Sequence, residues 1–228
     1  MAFYYSPDDE DELSFALHES LVTITADDVL LDAELATHPD AREAVLLADA
    51  SACSRDNRAM SFIAEAFQEI GLATLQVDLF TEDEVAVAQP GDEQIALLAR
   101  RLAQVIAWLH ADRRTAALKL GYFGQGAGAA AALMAAAERP GSLAALVAVN
   151  GALDLAGTQV AAVDVPVLLM VGTADQPALE MNERARSQLK GERQLALVPG
   201  GADLLAEPPA LPQVARLARG WFSRHLAR

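Results

Sequence analysis

Gly121-Tyr122-Phe123-Gly124-Gln125-Gly126-Ala127-Gly128-Ala129-Ala130-Ala131-Ala132 is the stretch on which the fold turns. An apolar run enters it and an alanine-rich run leaves it, so it joins a buried strand to a helix. Glycines collect at the joint, where a sharp strand-to-helix turn crowds the backbone. Three readings fit. As G-x-G-x-x-A (Gly124, Gly126, Ala129) it is a dinucleotide fingerprint. That fingerprint belongs on the first strand–helix turn, with an acid about 20 residues further on. Here the turn comes late, and the next strand closes on Asn150. As G-x-S-x-G (Gly124, Gly126, Gly128) it is an elbow that presents a nucleophile, with glycine in the nucleophile's place. Glycine has no side-chain atom to attack with, and it accepts positive φ without penalty. The third reading is a glycine turn that serves only close helix–strand packing.

Working outward, strands alternate with helices. Residues 21–25, 29–35 and 44–48 read as strands, and Asp27-Asp28 marks a hairpin turn between the first two. Residues 57–70 read as a helix, with Met60, Ile63, Phe67 and Ile70 on one face and Gly71 as its C-cap. A buried strand is expected over 72–78 and an acidic loop over 82–91. A second helix over 93–110 turns Ile95, Leu98, Leu102, Ile106 and Leu109 inward. Further strands fall at 117–123, 143–150, 165–171 and 193–198, and helices at 127–138, 177–189 and 214–226. This order predicts an α/β fold: a mostly parallel sheet that starts with an antiparallel hairpin and is covered by helices on both faces. In such sheets ligands bind beyond the carboxyl ends of the strands.

Several segments, taken in order, carry a family resemblance. They are Gly71-Leu72-Ala73-Thr74 with Asp78-Leu79-Phe80-Thr81, the glycine turn at 121–132, and Asp154-Leu155-Ala156-Gly157. Residues 165–175, Val198-Pro199-Gly200 and Trp221-Phe222 complete the set. From about Glu19 to its end the chain resembles the dienelactone-hydrolase-like branch of the α/β-hydrolase fold. The resemblance implies that fold and an ancestral acyl-transfer chemistry. It puts the nucleophile position at Gly126 and the acid at Asp175, in Val171-Gly172-Thr173-Ala174-Asp175. The general-base position, a histidine in the pattern, falls on Asp203 in Pro199-Gly200-Gly201-Ala202-Asp203. The oxyanion segment reads Ala48-Asp49-Ala50-Ser51. Two of the three chemical groups of the triad are thus replaced.

A hydroxyl nucleophile needs a base in hydrogen-bond reach and an acid to orient that base. None of His18, His38, His110 and His225 lies at the carboxyl end of a predicted late strand. Substitutes exist in the sequence. Ser51, Cys53 and Ser54 lie in the loop after the third strand, with Arg55 beside them to lower a thiol's pKa. Asp175 and Asp203 sit on adjacent predicted loops and could share acid–base work. Against that pair, Asp175 precedes Gln176-Pro177 at a helix start, where aspartate is a common cap. The possible pocket set is therefore Asp49, Ser51, Cys53, Gln125, Ala127 and Asn150. The backbone N–H of Ala127 still faces the old oxyanion site, although Asp49 and Asp203 would oppose an anion there.

Composition bounds the rest. The 228 residues are 53% hydrophobic, enough for a sizeable core, and hold one cysteine, which excludes a disulfide framework and a thiolate metal site. Neither a metal nor a cofactor is expected. The net charge of −15 argues against nucleic acid and anionic membrane. Residues 1–50 hold 13 Asp/Glu against Arg42 alone, a net of −12. An acidic tail is expected over 1–14 and a single domain over 15–228. No leader or membrane segment is evident, and a cytoplasmic protein is expected. The sequence favours a catalytically degenerate binding, regulatory or assembly module. Its partners would be another protein, reached through the acidic N-terminal region, or a small molecule in the pocket. The alternative is a hydrolase that uses displaced groups, Asp175 with Asp203 or Cys53.

Overall fold

Asp27 and Asp28 both adopt positive φ, 51° and 62°. Paired left-handed residues make the tight turn whose twist matches that of two antiparallel strands. The turn joins β1 (His18–Ala26) to β2 (Val29–Thr37) in the expected hairpin. The computed structural model describes residues 17–49, 57–85 and 92–227. The expected acidic tail over 1–14 lies outside these residues, as do Ser51, Cys53, Ser54 and Arg55.

The remaining elements follow in chain order. They are β3 (Glu43–Asp49), α1 (Arg58–Gln68), β4 (Ala73–Asp78), α2 (Glu82–Val85), α3 (Asp92–Ala111), β5 (Lys119–Gln125), α4 (Gly126–Glu138) and β6 (Ala145–Val149). A 3₁₀ segment (Leu153–Ala162), kinked at Gly157, leads to β7 (Val167–Gly172), α5 (Gln176–Gln188), β8 (Arg193–Val198) and α6 (Leu211–His225). The eight strands form one sheet in the order β1-β2-β4-β3-β5-β6-β7-β8. β1, β2 and β4 pair antiparallel, and every other neighbour pair is parallel. Crossover helices therefore cover both faces, and the central strands are apolar on both sides.

β3 shows this division residue by residue. Leu46 and Ala48 point into the core under α3, α4 and the 3₁₀ segment, together with Leu98, Leu102 and Leu133. Val45 and Leu47 point the other way, toward α1 and α6, and meet Met60, Ile63, Phe67 and Phe222. Phe67 packs edge-on against Phe123 and Phe222, with ring centroids 5.8 and 5.2 Å apart. The periodic residues expected to face inward on both helices are buried, apart from half-buried Ile70. α1 ends as predicted: Gly71 has φ 82°, and the Leu72 N–H returns to Phe67 O at 3.2 Å.

Two stretches depart from the sequence expectation. The acidic segment expected as a loop over 82–91 forms the short helix α2 over its first four residues, and 86–91 lie outside the described residues. Arg101 of α3, 2% exposed, explains the helix. Its guanidinium donates to both Glu84 carboxylate oxygens at 2.7 and 2.6 Å and to Leu79 O at 2.8 Å. The Arg101 hydrogen bonds, with a further bond from Thr81 N, hold the Glu84 carboxyl down from 4.5 to about 2. The second departure is the 3₁₀ segment after β6, where no element was expected. Among the described residues, no helix is long and apolar enough to cross a membrane.

Candidate functional site

The site is built where β5 turns into α4. Gln125 is still extended at φ −117°, and Gly126 switches to φ 55°. An L-residue pays about 1 kcal/mol or more for that conformation, and glycine does not. Ala152 N donates to Gly126 O at 3.0 Å and fixes the turn from outside the helix. The buried Tyr122 hydroxyl lies 3.0 Å from Ala48 O and 2.9 Å from Gly128 O, so it ties the end of β3 to the first turn of α4. Among the described residues, a Cβ placed on Gly126 would meet nothing within 4 Å. Packing therefore does not require glycine at 126. The backbone keeps the sharp turn, and the space above it is open.

Asn150, at the end of β6 with φ 42°, ties the neighbouring loops together. Its Nδ2 donates to Gly201 O at 3.1 Å and makes a long contact of 3.5 Å to Asp175 Oδ2; its Oδ1 accepts from Gly172 N at 3.3 Å. Asp175 caps α5, with Oδ1 accepting from Ala178 N at 3.1 Å and Pro177 in the first turn. The cap anticipated from Gln176-Pro177 is thus in place. Asp203 has different partners: Oδ1 accepts from Gln125 Nε2 at 3.0 Å and from Ala206 N at 3.2 Å. Among the described residues the two carboxylates do not bond to each other. Because the Gln125 side chain reaches across to Asp203, it makes no cap on α4, whose first-turn N–H groups have no side-chain cap among the described residues.

An open cleft of about 870 Å³ lies over this turn. Its floor is Gln125, Gly126 and Ala127, and Asp203 stands at one side. Of the sequence candidates, these four meet on the cleft wall. Asn150 and Asp175 lie behind it in the hydrogen-bond network. Ser51 and Cys53 fall outside the described residues, and Asp49 is described only as the backbone end of β3, paired with Asp78. The other walls were not anticipated. Asn57, Arg58 and Phe62 come from the start of α1, and Leu205, Leu211 and Pro212 from the approach to α6. The start of α1 had a sequence signal: Asn57 is a capping residue before an amphipathic helix, at the carboxyl end of the sheet, and its side chain accepts from Ala59 N at 3.0 Å. The α6 wall had none, because apolar residues in a loop reveal no direction.

None of the described cleft residues carries a hydroxyl, a thiol or an imidazole. The histidines are elsewhere. His225 is buried at the far end of α6, its ring tilted 45° against Trp221 with centroids 4.1 Å apart, and 3.7 Å from the Glu192 carboxylate. His110 Nε2 lies 3.1 Å from Ser142 O. Among the described residues, no group of three or more His, Cys, Asp or Glu could hold a metal ion.

With this geometry in view, a dienelactone hydrolase from Anabaena variabilis superposes on the chain with a TM-score of 0.84. The two are 39% identical, over 92% of this chain and 99% of that one. The chain belongs to the dienelactone-hydrolase-like branch of the α/β-hydrolases. No protein-family model matches it. Est1E from Butyrivibrio proteoclasticus superposes at a TM-score of 0.75 with 17% identity, over 91% of this chain and 99% of that one, and shares the fold. Two Mycobacterium tuberculosis proteins, from strains CDC 1551 and H37Rv, carry the provisional name phosphoribosyl transferase. Each is 41% identical to this α/β-hydrolase over 211 residues. That match takes in 92% of this chain but 47% of theirs, so the chain spans about half the length of these curated relatives.

Proposed function

We propose that this α/β-hydrolase has lost its ancestral hydrolytic chemistry and uses its cleft to hold a small, largely apolar molecule, as a binding or regulatory module. One observation carries the reading: the cleft over the strand-to-helix turn has Gly126 at its centre and no hydroxyl, thiol or imidazole on its described walls. Ester cleavage by the family's route needs an attacking atom and a proton acceptor, and loss of a single triad member already costs orders of magnitude in rate. Asp203 is engaged by Gln125 and Ala206, and Asp175 by a helix terminus, which suits both carboxylates to structural work.

The test is purified protein with activated acyl esters, beside labelling by a fluorophosphonate probe. No turnover above buffer and no labelling are expected. Turnover that disappears in Asp175→Asn would overturn the reading in favour of displaced catalytic groups.

The length of the mycobacterial relatives supports a role beside a second unit. In this reading any phosphoribosyl chemistry belongs to the half of those proteins that has no counterpart here. With Arg58 offset by the Asp203 carboxylate and the other described walls largely apolar, the cleft offers little net positive charge to a pyrophosphate. Calorimetric titration with phosphoribosyl pyrophosphate should show no binding, and saturable heat would contradict this assignment.

A further inference from the structure

On the face of the sheet covered by α1 and α6, a groove of about 460 Å³ runs between the two helices. Phe62, Pro212, Ala66 and Ala215 line it. Phe62 is 40% exposed, an unusual position for a phenylalanine in a helix otherwise buried along its apolar stripe. The groove is flanked by charge of opposite sign. Glu65 and Glu69 stand on α1, and Arg216 and Arg219 on α6. The helices run side by side in the same direction. Phe62 and Pro212 both line the cleft end of the groove, and Glu69 pairs with Arg219 at 3.0 Å at the other, seven residues further along each helix. At about 1.5 Å per residue, Glu65 and Arg216 stand at nearly the same height. Neither is in an ion pair with a described residue.

The geometry points to this face as the contact between two copies of the chain. A two-fold axis parallel to the helices places α1 of one copy over α6 of the other and preserves height along the groove. Glu65 then faces Arg216 of the second copy, and the same pair recurs across the axis. The two Phe62 rings enter the apolar floor between them. A face with an acidic rail and a basic rail in register is complementary to itself under this operation, as an isologous contact requires. An axis perpendicular to the helices would set Glu65 against Glu65 and is disfavoured. The occupant is thus a second copy rather than a partner of single charge, which would be attracted by one rail and repelled by the other. The inference does not depend on what the cleft holds. The groove has eight lining residues, against roughly 20–30 a side in a standard interface, so the dimer is weak and concentration-dependent.

Sedimentation equilibrium of the full chain, at concentrations up to about 0.5 mM, tests it. A monomer–dimer equilibrium is expected. Phe62→Asp and either single reversal, Glu65→Lys or Arg216→Glu, should weaken it about tenfold or more, because each reversal puts like charges together twice per dimer. The double variant Glu65→Lys/Arg216→Glu restores the match and should return to within about threefold of the native constant. Melting curves of all four variants confirm that each is folded. A native chain that stays monomeric throughout, or a dimer that ignores the reversals, or a double variant no tighter than the single ones, overturns the proposal.

Discussion

Gly126 and Gly172 end neighbouring parts of one architecture, yet they are glycine for opposite reasons. Gly172 closes β7 where the loop after β8 passes over it, and a Cβ there would overlap the Gly201 carbonyl oxygen. Gly126 opens α4 where no described residue would touch a Cβ, and only its positive φ calls for glycine. The first position is set by its surroundings and the second by its own backbone. The same contrast separates two carboxylates: Glu84 is gripped by a buried guanidinium, whereas Asp203 is held by the exposed contact with Gln125. The strands beneath the cleft are buried, whereas Gln125, Gly126 and Ala127 on its floor are half-buried and Asp203 is exposed.

The largest effect should come from Gly172→Ala. The clash is with backbone, which cannot move aside as a side chain can, and a loss of about 4 kcal/mol is expected. For a chain of this size that lowers the melting temperature by roughly 8–16 °C in calorimetry. A loss below about 1 kcal/mol would erase the contrast with Gly126.

Glu84→Gln comes next. It leaves the Arg101 guanidinium buried without its counter-charge, at a cost of about 3 kcal/mol in denaturant unfolding at neutral pH. The pH dependence sharpens the point. The Glu84 carboxyl is depressed from 4.5 to about 2 in the folded chain. Its contribution is therefore fully present above the unfolded value and is lost as pH falls from 4.5 toward 2. The gap in stability between the native chain and Glu84→Gln should be constant above pH 4.5 and narrow below it. A gap that widens in acid would refute the pairing.

Gly126→Ala should cost only about 1 kcal/mol, the price of a left-handed alanine with room for its methyl group. The smallest effect belongs to Gln125→Ala, which removes an exposed hydrogen bond to Asp203 and should change stability by no more than about 0.5 kcal/mol. If Gln125→Ala proved costlier than Gly126→Ala, the cleft surface would be doing structural work that its exposure does not suggest.

Much of this was legible in the chain itself. The hairpin was marked by Asp27-Asp28, the α1 stop by Gly71, and each central strand by a short unbroken apolar run. Order and spacing then located the turn at 124–128 and the loops that carry Asp175 and Asp203. The cap made by Asp175 was readable because capping is local: the aspartate and the N–H it accepts are three residues apart. What stayed hidden depends on distant partners. Gln125 reaches Asp203 across 78 positions, and Asn150 joins three loops, which no periodicity records. Helix α2 was missed because its stabilising partner, Arg101, lies on another helix and looks like a surface residue in the sequence. The cleft wall from Leu205 to Pro212 was missed because loop residues carry no facing signal.

By itself, then, the sequence determined the order of the strands and of the long helices, the parallel sheet, the glycine at the turn and the absence of histidine from the loop after the last strand. These are matters of local chemistry and of period, which travel with the chain. Only the tertiary structure decided that the space above Gly126 is open, that Asp175 and Asp203 have separate partners, and that α1 and α6 set opposite charges in register along one groove. Each of those depends on which distant residues the folded sheet brings side by side.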